Sequence, residues 1–334
     1  MRCVPPPVLA TLSLLGCALP AAAAPLDTLP LGGGSVLVLA TVAEGSEAVA
    51  AEDEFTERMS PFDRQARLRA AGPVSGEEHR AFAARCVLPW EDRERRAVAL
   101  ALAGLDRRFA ELGVTFPARV LLVKTSGDEE GGAAYTRGEA IMLPAKVFRG
   151  ATPALRRLLC HELFHVLSRA NPALRGKLYA AIGFRPCGDV RLPGDLEARR
   201  ITNPDAPRFD HCIRVKLGDV DRWMVPVLWS RSREYDATSG KAFFDTMEFR
   251  LLAVRLEGDD PVRGVAETTD DGTPIMATPD QVGGFFEQVG RNTEYLIHPE
   301  EILADNFVIL VEKSGRPKTP ELVQRIGEIV RQSE

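Results

Sequence analysis

The chain has 334 residues, 45% of them hydrophobic, and a formal net charge of −5. That suits one elaborated domain or two small ones, with ample material for a core. Arg is far more common than Lys, yet no basic run or stripe occurs, so nucleic acid is not the expected partner.

The N-terminus opens Met1-Arg2, runs apolar from Val8 to Leu19 and continues through Ala21–Ala24 to Pro25. A positive start, a short apolar core and small residues at the exit describe a secretory signal peptide over residues 1–24, cleaved after Ala24. The core is too short for a stable membrane span. Leu14-Leu15-Gly16-Cys17 offers a second reading, a bacterial lipobox that would leave Cys17 lipidated and the chain attached to a membrane. On either reading the chain is exported, periplasmic or secreted. Beyond that segment lie Cys86, Cys160, Cys187 and Cys212. An even number in an oxidising compartment suggests two disulfides. Pairing Cys187 with Cys212 closes the shorter loop and leaves Cys86 for Cys160.

Residues 25–85 are expected to form an N-terminal arm, with one strand-like run from Ser35 to Val42 and a turn at Ser60-Pro61. Residues 86–183 are the expected catalytic core. A helix opens at Pro89-Trp90-Glu91-Asp92, with acidic residues in the first turn that complement its dipole. Val98, Leu102, Leu105, Phe109 and Leu112 keep one face apolar and carry that helix to about Gly113. Val120–Lys124 reads as a buried strand, Thr125–Gly132 as a solvated loop, and Ala133–Pro144 as an edge hairpin or strand. Thr152-Pro153 marks the next helix start, Thr at the N-cap and Pro at the first position. This helix runs to about Arg169, and Asn171-Pro172 starts another that ends near Ile182. Residues 184–290 change in texture to short alternating runs punctuated by Gly, Asp and Pro, a β-rich insertion built as an antiparallel meander. Residues 291–334 are C-terminal helices, the first with Pro299 at its start.

Within the helix that begins at Thr152 stands Cys160-His161-Glu162-Leu163-Phe164-His165. Positions i and i+4 share a helix face, so His161 and His165 can offer two imidazoles to one metal ion. Glu162 borders that face and can act as a general base on water. The surrounding residues are apolar, and a buried helix carrying two His and a Glu needs partners for them. Glu301 is the favoured third ligand, because Asp305 lies one turn on and can accept the free N–H of a ligating imidazole. Glu197, Glu300, His211 and His298 compete with it. For a donor to a developing oxyanion the candidates are His298, Tyr295, Tyr235 and His211, with His298 preferred for its place just before the helix of Glu301.

In His161, Glu162, His165, Glu301 and Asp305 the chain resembles the zincin metallopeptidases, and within them the gluzincins. The metzincin variant does not fit, since Ser168 and Asn171 stand where it has Gly and His. Glu301 lies much farther from the motif than in familiar gluzincins, a distance the β-rich insertion accounts for. The resemblance implies an α+β fold: a zincin-like core of mixed sheet and active-site helix, whose edge strand borders the cleft. It implies one Zn²⁺ per chain, held by His161, His165 and Glu301. It also implies a peptidase acting on a peptide or protein substrate, with Glu162 as base. A zinc-containing binding or structural protein without turnover, and a zinc amidase on a non-protein substrate, are the alternatives.

Overall fold

A computed structural model describes residues 27–332 apart from 241, 260, 261 and 314. The expected signal segment, Cys17 and the Ala24 cleavage point lie outside the described residues. The fold is α+β. Strands β1 (Thr28–Gly32) and β2 (Ser35–Leu39) lead into helices α1 (Val42–Ala50), α2 (Glu54–Arg58), α3 (Pro61–Leu68) and α4 (Gly76–Arg85). Then come α5 (Asp92–Leu102), α6 (Leu105–Glu111), β3 (Arg119–Thr125), β4 (Tyr135–Arg137) and β5 (Ala140–Pro144). The five strands form one sheet in the order β1-β2-β3-β5-β4. The β2–β3 and β3–β5 pairs are parallel, and the outer pairs antiparallel, so β4 is the edge.

The strand period of two divides this sheet's side chains between two cores. Val120 and Leu122 of β3 join the main core under α5 and α6, whereas Leu121 and Val123 face α1 and α4. Gly45 lets α1 lie close, since a Cβ there would stand 2.8 Å from a methyl of Val123. The segment expected as an arm is therefore part of the body: β2 sits inside the sheet, its alternate residues Ser35, Leu37 and Leu39 buried. The strand stops at Leu39 because Thr41 caps α1 in a reciprocal box with Glu44. The single helix expected over Asp92–Gly113 is two, broken at Gly104, which takes a left-handed conformation (φ 77°).

Helices α7 (Thr152–Ala170) and α8 (Pro172–Ala181) follow, with Ala151 rather than Thr152 as the cap of α7. A second, seven-stranded sheet is antiparallel throughout, as expected of the β-rich region. It comprises β6 (Phe184–Pro186), β7 (His211–Leu217), β8 (Val220–Ser230), β9 (Met247–Glu257), β10 (Arg263–Ala266), β11 (Met276–Ala277) and β12 (Val282–Gly283). Short α9 (Phe285–Val289) leads to α10 (Pro299–Glu312) and α11 (Pro320–Arg331). Among the described residues no helix is long and apolar enough to cross a membrane.

Cys86, Cys160, Cys187 and Cys212 are buried free thiols, so neither expected disulfide is formed. Cys86 ends α4 on one side of the first sheet and Cys160 lies in α7 within the core on the other, which separates that pair. Cys187 does sit against Cys212, whose thiol together with burial pushes its own pKa up.

His79 of α4 gives the fold a pH limit. The ring is buried edge-on against Phe55, 6.4 Å between centroids, and neither nitrogen has a partner among the described residues. Burial, then the charges of Arg67 and Arg137, lower its pKa to about 3. The unfolded chain therefore takes up this proton first, and stability falls as pH drops from ~6.5 towards the folded value. At pH 5 the loss from this group is about 2 kcal/mol. Urea unfolding at pH 7 and pH 5 should show the His79→Leu variant losing less stability than the parent by about that amount. An equal loss in both would contradict the assignment.

Candidate metal centre

Helix α7 is buried on most of its surface, and α10 packs along it with Phe164 against Phe307, ring centroids 5.4 Å apart. Packing two such helices brings their polar residues together inside the core. From α7 come His161 and His165, one turn apart, with ring centroids 4.8 Å apart. From the first turn of α10 come Glu300 and Glu301, and one turn on, Asp305. His161 Nε2 lies 3.1 Å from Glu301 Oε2, and His165 Nε2 lies 3.5 Å from the same oxygen. Donors ~2.1 Å from a tetrahedral ion stand roughly 3.4 Å apart, so these three atoms have the spacing of ligands to one Zn²⁺. His165 Nε2 is buried with no hydrogen-bond partner among the described residues, an orphan that an ion would satisfy.

Both imidazoles are held from behind. His161 Nδ1 lies 3.1 Å from Asp305 Oδ1, and Asp305 in turn accepts from the hydroxyl of Thr293. His165 Nδ1 lies 3.2 Å from Glu300 Oε1, while Ser168 Oγ and Tyr179 OH donate to Glu300 Oε2 at 2.8 and 2.6 Å. Each Nε2 is thereby directed towards Glu301. Burial opposes charge on His161, but Asp305 and Glu301 raise its pKa to about 10. Burial likewise opposes charge on Glu301, yet the two imidazoles hold its carboxyl well below the usual range. A cluster that retains a proton so strongly, with its carboxylates ionised, has the charge balance of a cation site in which metal competes with protons.

Glu300 was legible only as a rival third ligand; the fold makes it the carboxylate behind His165. Glu300→Gln should weaken metal binding by about 10- to 100-fold, read by competition with a chelating dye. An unchanged Kd would show that this contact does not support the site.

Glu162 is buried beside the cluster and its Oε2 accepts from Thr136 Oγ1 at 2.8 Å, so the edge strand β4 fixes the carboxylate. Burial raises its pKa, against the nearby imidazoles. Glu162, His161, Glu301, Asp305 and Tyr295 line a cavity of about 340 Å³, which Asp205 also walls. Asp205 comes from the Pro-rich loop after Ile201, and its carboxylate forms a second potential ligand group with Glu162 and His165. Thr136 and Asp205 carry no motif of their own, and only tertiary placement marks them.

The remaining candidates lie elsewhere. His298 caps α10, its Nδ1 accepting the Glu300 N–H at 3.1 Å, and it lines a neighbouring cavity of about 450 Å³ rather than the metal pocket. With Nδ1 as the cap acceptor and the ring in the neighbouring cavity, His298 stands outside the metal pocket in which the expected oxyanion donor would act. His211 pairs with Asp210 at 2.5 Å in that same neighbouring cavity. Tyr235 packs on Phe62, and Glu197 accepts from the Leu192 N–H. Tyr295 alone of the donor candidates lines the metal pocket, its ring centroid 6.4 Å from that of His161.

Residues 123–173 match the family model of the eCIS core domain. The matched span runs from β3 through α7 and holds His161, Glu162, His165 and Thr136, but neither α10 nor the loop of Asp205. No curated protein and no solved structure matches the chain.

Proposed function

We propose that the chain is a zinc-dependent hydrolase, a zincin-like peptidase of gluzincin type. The observation that carries this reading is a buried carboxylate, Glu162, pinned by Thr136 at the wall of a pocket that also presents His161 and Glu301, with the His165 imidazole grouped beside them. His161, His165 and Glu301 would hold a Zn²⁺ ion, which would supply Lewis acidity to this pocket. Glu162 takes the proton from the attacking water and passes it to the leaving amine. Its raised pKa suits the return of that proton. Tyr295 donates its phenolic O–H to the oxyanion, because its surroundings and the carboxylates of Glu301 and Asp205 keep the phenol protonated. Edge strand β4 aligns an extended substrate by main-chain hydrogen bonds. Peptides or proteins are the substrates on this reading.

A second reading, a metal centre without turnover, gains support from Asp205, which places a further protein carboxylate beside His165. Incubating the zinc-loaded chain with a proteome-derived peptide library decides between them. New termini that a chelator suppresses support the peptidase, and a library left unchanged by both the parent and Asp205→Ala supports the second reading.

A further inference from the structure

The loop that carries Asp205 lies across the pocket mouth in a specific way. Asp205 Oδ1 stands 4.0 Å from His165 Nε2 and accepts the main-chain N–H of Thr136 at 2.7 Å. That N–H belongs to edge strand β4, where an extended peptide would pair. The Thr136 carbonyl is likewise engaged, by Arg169 at 3.4 Å, and Arg169 also holds the Asp205 carbonyl at 3.1 Å. Asn203 ties the loop to the ligand itself, its Nδ2 donating to Glu301 Oε1 at 2.6 Å, while its own Oδ1 accepts the Asp205 N–H at 3.0 Å. Asp205 lines both the 340 Å³ metal pocket and the 450 Å³ cavity behind it, so the loop is the partition between them.

His165 thus belongs to two potential ligand groups, one with His161 and Glu301 and one with Glu162 and Asp205. A structural explanation for Asp205 would need only its side-chain contact with the Thr136 N–H, since Arg169 holds its main-chain carbonyl. Its place 4.0 Å from the orphan His165 Nε2 points to a shared ion between them.

We infer that Asp205 is a fourth, displaceable protein donor to the metal, and that loop residues 201–207 are an internal plug holding the place of substrate on β4. Withdrawal of the loop frees the Thr136 N–H, removes one donor from the ion and joins the two cavities into one groove along β4. The inference rests on the metal reading above and adds to it that the resting centre is closed.

The test uses the full chain loaded with Co²⁺, whose visible bands report the donor set, and acetohydroxamate as the probe. In the parent the bands should resist the probe. In Asp205→Ala the ion should stay, held by His161, His165 and Glu301, and the bands should shift at least about tenfold lower in hydroxamate concentration. Asn203→Ala, which loosens the loop but keeps the carboxylate, should fall between. Asp205→Asn keeps the acceptor for Thr136 and guards against misfolding; it should behave as Asp205→Ala. Equal sensitivity of the parent and the Asp205 variants would overturn the plug. Loss of cobalt from folded Asp205→Asn would overturn its displaceability and make Asp205 an essential ligand. Failure of the parent to bind cobalt would sink the metal reading itself, and the plug with it. A hydroxamate response gained in Asp205→Ala without hydrolysis by any variant would uphold the plug and reject the peptidase.

Discussion

Glu162→Gln should keep the metal and lose hydrolysis by about 10²- to 10⁴-fold, the range of a general acid–base contribution. The amide is nearly isosteric and can still accept from Thr136 Oγ1, which now holds the carboxylate at 2.8 Å, so pocket shape should survive. It cannot take a proton from water at neutral pH. Measured on one peptide substrate in the parent and again in the Asp205→Ala background, the loss should fall on the rate rather than on substrate affinity. Cleavage by Glu162→Gln at the parent's rate would assign the chemistry to another group. Metal loss in the same variant would instead make Glu162 a ligand.

Glu301→Ala has the largest expected effect on the metal. The substitution removes the one oxygen that stands within 3.5 Å of both Nε2 atoms. It also strands two buried imidazoles and releases Asn203 Nδ2, the tether of the loop. Losing a ligand should weaken binding by more than the roughly 10- to 100-fold expected of a supporting group such as Glu300. Dialysis against a weak chelator should then empty Glu301→Ala while the parent keeps its ion. Asp305→Asn, which disturbs only the support of His161, should retain most of it. Equal retention by Glu301→Ala and the parent would point to Asp205 or Glu300 as the carboxylate that matters.

The half of the site written on single helices was legible in the sequence. The i, i+4 spacing puts His161 with His165, and Glu301 with Asp305, whatever surrounds them. Pro299 at a helix start fixed where the second pair would stand. The roles of Glu300, Thr136 and Asp205 were not legible, because each depends on how separate elements pack. Glu300 is about 100° around α10 from Glu301, and only the packing of α10 on α7 turns it towards His165 rather than elsewhere. Thr136 and Asp205 come from an edge strand and a loop distant in sequence, with no periodicity to mark them. The antiparallel region followed from alternation, which is local, whereas the α+β class was what the resemblance implied. The place of β2 inside the first sheet is a matter of parallel pairing with β3, about which Ser35–Leu39 says nothing by itself. Cysteine count likewise says nothing of distance: Cys86 and Cys160 share a domain and not a neighbourhood.

The match to the eCIS core domain ends just beyond α7. It contains His161, His165 and Glu162, whereas Glu300, Glu301, Asp305 and Asp205 lie outside it. On the present reading the matched part would hold an ion poorly alone, and α10 completes the centre.

Metal content of the purified full chain tests the central claim most directly. After loading with Zn²⁺ and dialysis, elemental analysis should find about one zinc per chain in the parent, and X-ray absorption should show imidazole and carboxylate donors without sulfur. His161→Ala combined with His165→Ala should retain none. A folded parent that keeps no zinc, or keeps as much without the two imidazoles as with them, would contradict a metal centre at the junction of α7 and α10.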